Sequence, residues 1–209
     1  MTRTHLVKTL FLILIITFST AAGAKKKGTE LEQFYAKRGI VVVREIYPVG
    51  YTYNSGGYLL YVKAVVLYLP GRSDKVIKGI KIDLMNVKTG SVLITSYVDS
   101  TEIPSLYTAI SYMVKTAPKI ENSNIKTDLI YITEGDFQVA VQHSIKGKQK
   151  NRFYGLIKSG RDSFTYEFTD RTEMKKLNGL LRQAVKVLNA HRKKLPSLKK
   201  PAKGTTSEA

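Results

Sequence analysis

The chain has 209 residues, with 34 Lys and Arg against 16 Asp and Glu, a net charge of +18 at pH 7, and neither cysteine nor tryptophan. Without cysteine there is no disulfide, no thiol nucleophile, no iron–sulfur cluster and no lipid-modified N-terminal Cys. The basic excess points to an anionic partner or to a well-solvated surface, and says nothing about fold.

Residues 1–24 read as a secretory signal peptide. Arg3 and Lys8 precede the apolar run Leu10–Phe18, and Ala22-Gly23-Ala24 supplies small residues before a cleavage point after Ala24. The apolar run is shorter than the roughly 20 residues a membrane-spanning helix needs. The expected product is exported to the periplasm or the cell exterior, starts at Lys25 and carries +16. Residues 25–39 are a basic lead-in and a short helix. Thr29-Glu-Leu-Glu32 is a capping box, and Gly39 is a suitable stop.

Residues 40–120 then alternate in β fashion. Ile40–Val43 is a β-branched run, and Tyr51–Gly57 reads as a loop closed by paired glycines. Tyr58–Leu69 is apolar on both alternating faces except at Lys63, the pattern of a central strand covered on both sides. A turn is expected over Pro70–Asp74. Strands Val76–Val87 and Ser91–Val98 follow, joined through Lys88–Gly90.

Residues 121–192 repeat the layout. Asp128–Thr133 and Phe137–Lys146 are joined at Glu134–Asp136. Asn151–Lys158 and Ser163–Thr169 are joined at Ser159–Arg161, with Phe164, Tyr166 and Phe168 aligned to Leu93, Thr95 and Tyr97. Each half ends in an amphipathic helix. Ile103, Leu106, Ile110, Met113, Val114 and Ala117 form one apolar stripe; Met174, Leu177, Leu181, Ala184, Val185 and Leu188 form the other. The helices are copies at a spacing of 71 positions, pairing Asp99 with Asp170, Glu102 with Glu173, Leu106 with Leu177 and Ile110 with Leu181. The shared Asp-x-x-Glu reads as a capping box with Asp99 or Asp170 as N-cap. The fold class is therefore α+β: two tandem ββββα repeats, antiparallel sheets each covered by a C-terminal amphipathic helix. Residues 193–209 are rich in Lys, Pro, Ser and Thr and read as a disordered basic tail.

Catalytic signals are weak. Capping accounts for the paired acids, and turn chemistry accounts for Glu134 and Asp136. His143 and His191 are the histidines left after cleavage, and neither has a second ligand at metal-binding spacing. His191 suits a helix C-terminus, and His143 reads as a satisfied strand residue. No phosphate-cradling loop, nucleophile elbow or His-Glu-x-x-His is present, so no cofactor or metal is expected.

The positive charge is uneven. Lys146, Lys148, Lys150, Arg152, Lys158 and Arg161 lie in a stretch with no acid, and Lys175, Lys176 and Arg182 follow on the helix. These nine residues are the candidate anion-binding set. Tyr47, Tyr51, Tyr53, Tyr58 and Tyr61 surround the Asn54–Gly57 loop, where exposed rings stack on sugars or bases and buried ones simply suit strands. In element order alone, with no shared motif, the tandem ββββα units resemble Whirly-type single-strand DNA binders. An exported chain rarely meets DNA. The expected partners are instead anionic lipid, envelope polysaccharide or another envelope protein. The expected role is a non-enzymatic binding or accessory protein. The alternatives are an assembly component that uses the repeat as a protein–protein surface, and a hydrolase of envelope polymers.

Overall fold

A computed structural model describes residues 28–144, 152–159 and 162–191. The elements run α1 (Glu30–Tyr35), β1 (Val43–Tyr53), β2 (Tyr58–Leu69), β3 (Arg72–Asn86), β4 (Val92–Asp99), α2 (Ile103–Glu121), β5 (Thr127–Ile132), β6 (Phe137–His143), β7 (Arg152–Ser159), β8 (Asp162–Phe168) and α3 (Arg171–His191). The strands form two four-stranded antiparallel meanders, β1-β2-β3-β4 and β5-β6-β7-β8, so the architecture is α+β with tandem ββββα units. The expected signal peptide (residues 1–24), Lys146, Lys148, Lys150, Arg161 and the expected basic tail (residues 193–209) lie outside the described residues.

Some boundaries differ from the sequence reading. The first strand starts at Val43 rather than Ile40 and runs through Tyr51-Thr52-Tyr53, which was expected as loop. Tyr51 and Tyr53 pair with Tyr61 and Leu59, so the Tyr-Thr-Tyr alternation is strand and only Asn54–Gly57 turns. The Asn54 side-chain oxygen accepts from the Tyr58 amide at 3.0 Å and closes that turn. The third strand starts at Arg72, so the preceding turn is Pro70-Gly71 alone; the sixth stops at His143.

The doubly apolar pattern of β2 has a direct cause. Its Leu60, Val62, Ala64 and Val66 enter the main core, while Val65 and Leu67 face the other way. On that outer side α1 inserts Leu31 and Phe34, both almost fully buried beside Ile77 and Tyr97. The Thr29–Glu32 capping box at its start is complete. Burying a large apolar side chain stabilises by about 1.5–3 kcal/mol. Two such side chains and a box therefore hold a helix far shorter than one stable in isolation.

The main core joins both repeats, and the covering helices are exchanged. The sequence reading has each stripe facing its own sheet. Instead α3, from the second repeat, lies across β1 and β2, while α2, from the first, lies against β5 and β6. Gly50 lets α3 approach: its φ is +153°, and a Cβ there would stand 2.7 Å from Leu180 Cδ2. Lys78 Nζ of the first sheet donates to the Leu188 carbonyl at 2.9 Å. The two helices meet through Asn178 Nδ2 and Ser111 Oγ at 2.7 Å. Periodicity places a stripe on a helix but does not name the sheet that receives it.

Two parts of the repeat are not equivalent. Asp170 accepts from the Glu173 amide at 2.9 Å and caps α3 as expected. Asp99 does not cap α2, which starts beside Glu102 with no side-chain cap. Its carboxylate instead accepts from the Glu30 and Leu31 amides at 2.7 and 3.2 Å, serving the first turn of α1. Glu102 is diverted too and accepts from the Glu134 amide at 2.9 Å. The strand alignment also slips by one residue. Tyr166 and Phe168 face the core, but so do Ser96 and Val98, not Thr95 and Tyr97. The repeats keep their helical spacing and change the link before it.

The turn between β5 and β6 docks on the first repeat. Ser96 Oγ donates to the Gly135 carbonyl at 2.6 Å. A Cβ on Gly135 would overlap the Tyr97 carbonyl oxygen, so only glycine fits this contact.

Candidate functional site: a lysine–tyrosine face on the first sheet

α1 covers only part of the outer face of the first sheet. The rest is organised in two adjacent rungs. One runs Tyr51, Tyr61, Asp83, Thr95 across β1 to β4; the next runs Pro48, Lys63, Lys81, Tyr97. Tyr51 and Tyr53 are about half exposed, at 48% and 51%.

Asp83 is fully buried beneath this face. Lys63 Nζ lies 2.8 Å from Oδ2 and Lys81 Nζ 3.0 Å from Oδ1, and Thr95 Oγ1 donates to Oδ1 at 2.5 Å. Burial pushes the Asp83 carboxyl up, but the donors Lys63, Thr95 and Lys81 more than offset it, leaving it below the usual carboxylate range. Two lysines directly opposite on neighbouring strands repel each other. The buried carboxylate between them makes the pairing tolerable and fixes both ammonium groups. Their side chains are 23% and 22% exposed, so each reaches solvent from a recess. The wall toward α1 is Tyr97, whose hydroxyl is pushed up to about 12, chiefly by burial, and stays neutral.

The tyrosines are not free stacking platforms. The Tyr51 and Tyr61 rings stack on each other with centroids 6.2 Å apart. Lys63 Nζ sits 4.8 Å from the Tyr61 centroid, and Lys176 Nζ, from α3, sits 5.5 Å from that of Tyr51. A cation–ring–ring–cation series thus crosses the face. Lys176 reaches it because α3 is the exchanged helix.

The other sequence candidates are dispersed. Arg152 on β7 forms a two-pronged pair with Glu167 at 2.9 and 3.2 Å. Arg182 lies 4.9 Å from the Tyr107 ring on α2. It leaves the opposite flank of α3 from Lys176; Lys175 is exposed, and Lys158 lies on β7. Sequence reasoning noticed Lys63 only as a break in an apolar strand. Lys81 and Asp83 escaped it, although two charges on alternate positions of β3 carry the same signal.

A second cluster holds the end of α3. Glu45 accepts from the hydroxyls of Tyr47 and Tyr68, the latter at 2.8 Å, and pairs with His191 Nε2. The Tyr47 hydroxyl, with burial opposing, holds the Glu45 carboxyl below its usual range, helped by Tyr68 and His191. The same bond pushes Tyr47 up to about 12. His191 thus has a specific partner on the first sheet, beyond the helix-end preference. His143 is buried, with Nε2 2.9 Å from the Ser123 carbonyl oxygen. A cavity of about 340 Å³ opens between the end of α2 and the start of α3; Glu121, Asp170 and Arg171 line it and neither histidine does. Among the described residues, no three of His, Asp and Glu are grouped as metal ligands.

Compared with protein-family models, curated proteins and solved structures, the chain matches none.

Proposed function

We propose that the chain is an exported, non-enzymatic binding or accessory protein of the cell envelope, and that it meets an anionic partner on the outer face of its first sheet. The observation that carries this reading is the charge balance of that face. On the part of that face left open by α1, Lys63 and Lys81 flank the buried Asp83 and Lys176 lies beside Tyr51, while Asp99 on the same face is turned to the α1 amides. One lysine would neutralise Asp83; Lys63 and Lys81 both hold it, so with the exposed Lys176 this part of the face carries a local positive excess.

The test is retention of the mature chain on anionic liposomes, acidic polysaccharide and single-stranded DNA at low and high salt. Binding is expected at low salt and should fall steeply as salt rises, because exposed charges are screened. A Lys81→Gln, Lys176→Glu double variant should lose binding. The triple variant K148E, K150E, R152E tests the rival basic stretch; if it alone loses binding, the site lies there. Retention of none of the three matrices at low salt would leave the charge as solubility. Export has its own check: the N-terminus of protein from the native host should be Lys25.

The assembly reading has one observation in its favour. Ile130 and Ile132 on the edge strand β5 are 50% and 57% exposed on the outer face of the second sheet, which also carries Tyr154 and Leu156 beyond Ala140 and Gln138 of β6. Unlike the first sheet, this face has no helix across it among the described residues.

A further inference from the structure

We infer that Lys63, Asp83 and Lys81 form a subsite for one carboxylate group, carried by an acidic sugar within a polysaccharide. The inference rests on the anionic-partner reading above and gives it a chemical class.

Each ammonium has three N–H donors and spends one on Asp83, at 2.8 and 3.0 Å. The remaining donors belong to two cations that a carboxylate already holds at carboxylate-bridging separation. A second carboxylate, entering from solvent, matches the same span. The local balance is two positive charges to one negative, so a single monoanion completes it, whereas a dianion overshoots. Rigidity favours binding as well, since the lysines lose little freedom when the ligand arrives.

The surroundings select the carrier. The recess is rimmed by Tyr61, Thr95 and Tyr97, with Tyr51 and Tyr53 exposed beyond it. Tyrosine edges and hydroxyls suit the mixed apolar and hydroxyl surface of a sugar. A planar lipid headgroup layer attracts lysines that project freely. These two are only 23% and 22% exposed, a recess that one projecting carboxylate enters and a flat layer reaches poorly.

The experiment measures binding of the mature full chain to polygalacturonate at low salt. Fully methyl-esterified polygalacturonate, dextran sulfate and phosphatidylglycerol vesicles serve as comparisons. Lys81→Gln keeps a donor for Asp83 and removes the charge; its fold is checked by its urea midpoint. It should bind polygalacturonate about tenfold more weakly. Lys81→Arg should stay within about threefold of the parent. Lys115→Gln, on the exposed side of α2, should change nothing. The methyl ester should not bind. Equal binding of polygalacturonate by Lys81→Gln and the parent overturns the subsite while leaving the anionic-partner reading in place; binding of the uncharged ester as tight as that of the acid overturns both. Vesicle or dextran sulfate binding that depends on Lys81, without polygalacturonate binding, overturns the sugar carboxylate. If none of the probes binds the parent, the subsite falls, and the anionic-partner reading then stands or falls on the single-stranded DNA arm described above.

Discussion

Replacing Asp83 by Ala tests whether the buried carboxylate organises the face. The change removes three charge-assisted hydrogen bonds, from Lys63, Lys81 and the Thr95 hydroxyl. Bonds to a charged group contribute about 1.5–3 kcal/mol each. Against this stands the cost of holding a carboxylate away from water, which the variant no longer bears. The lysines left behind are partly exposed and can turn to solvent, so they do not become buried orphans. We expect a net loss of about 3 kcal/mol, near the lower end for breaking a buried pair. That is a fall in Tm of about 6–12 °C for a chain of this size. The assay is urea unfolding of the protein across pH. Because the folded pKa of Asp83 is depressed, its contribution is present above the unfolded value near 4. It is lost as pH falls through the lower folded value. The gap between parent and variant should therefore close in acid. A variant within about 0.5 kcal/mol of the parent at pH 7 would refute the reasoning, since surface substitutions change stability by that little.

The two capping positions should separate. Asp170→Ala should cost about 0.5–2 kcal/mol and raise amide exchange at the start of α3. Asp99→Ala should instead loosen Glu30–Tyr35, read as increased exchange in α1 with α2 unchanged. Gly135→Ala should destabilise by more than 1 kcal/mol, because its Cβ meets backbone rather than a movable side chain; differential scanning calorimetry checks this. Burial, opposed by the Glu134 amide, leaves the Glu102 carboxyl above its usual range. Stability should therefore fall as pH rises from the usual glutamate value through that raised one, and Glu102→Gln should flatten this slope in urea titrations.

Local patterns were readable where local physics decides. The strand Tyr58–Leu69, the hairpin at Lys88–Gly90 and both apolar stripes follow from alternation, turn residues and 3.6-residue spacing. The Asp-x-x-Glu pattern fitted a cap in both repeats. Asp99 had a second opportunity, amides that lie 69 residues away in sequence, and tertiary packing chose that one. The site was half legible: Lys63 interrupts an apolar strand, but its partner Asp83 appears only when β2 and β3 are placed in register. Lys176 was singled out for its charge, yet its position beside Tyr51 depends on which sheet its helix covers.

The exchanged helices set an order of events during synthesis. The first sheet is complete by Asp99, but the helix that shields its inner face begins at Arg171 and ends at His191. Until those residues leave the ribosome, Leu60, Val62, Ala64, Ile80 and Ile82 lack their main cover. The nascent chain therefore has no half that settles early. Native structure must form late and as a whole, so a chain cut after residue 170 should remain unfolded rather than yield a stable N-terminal repeat.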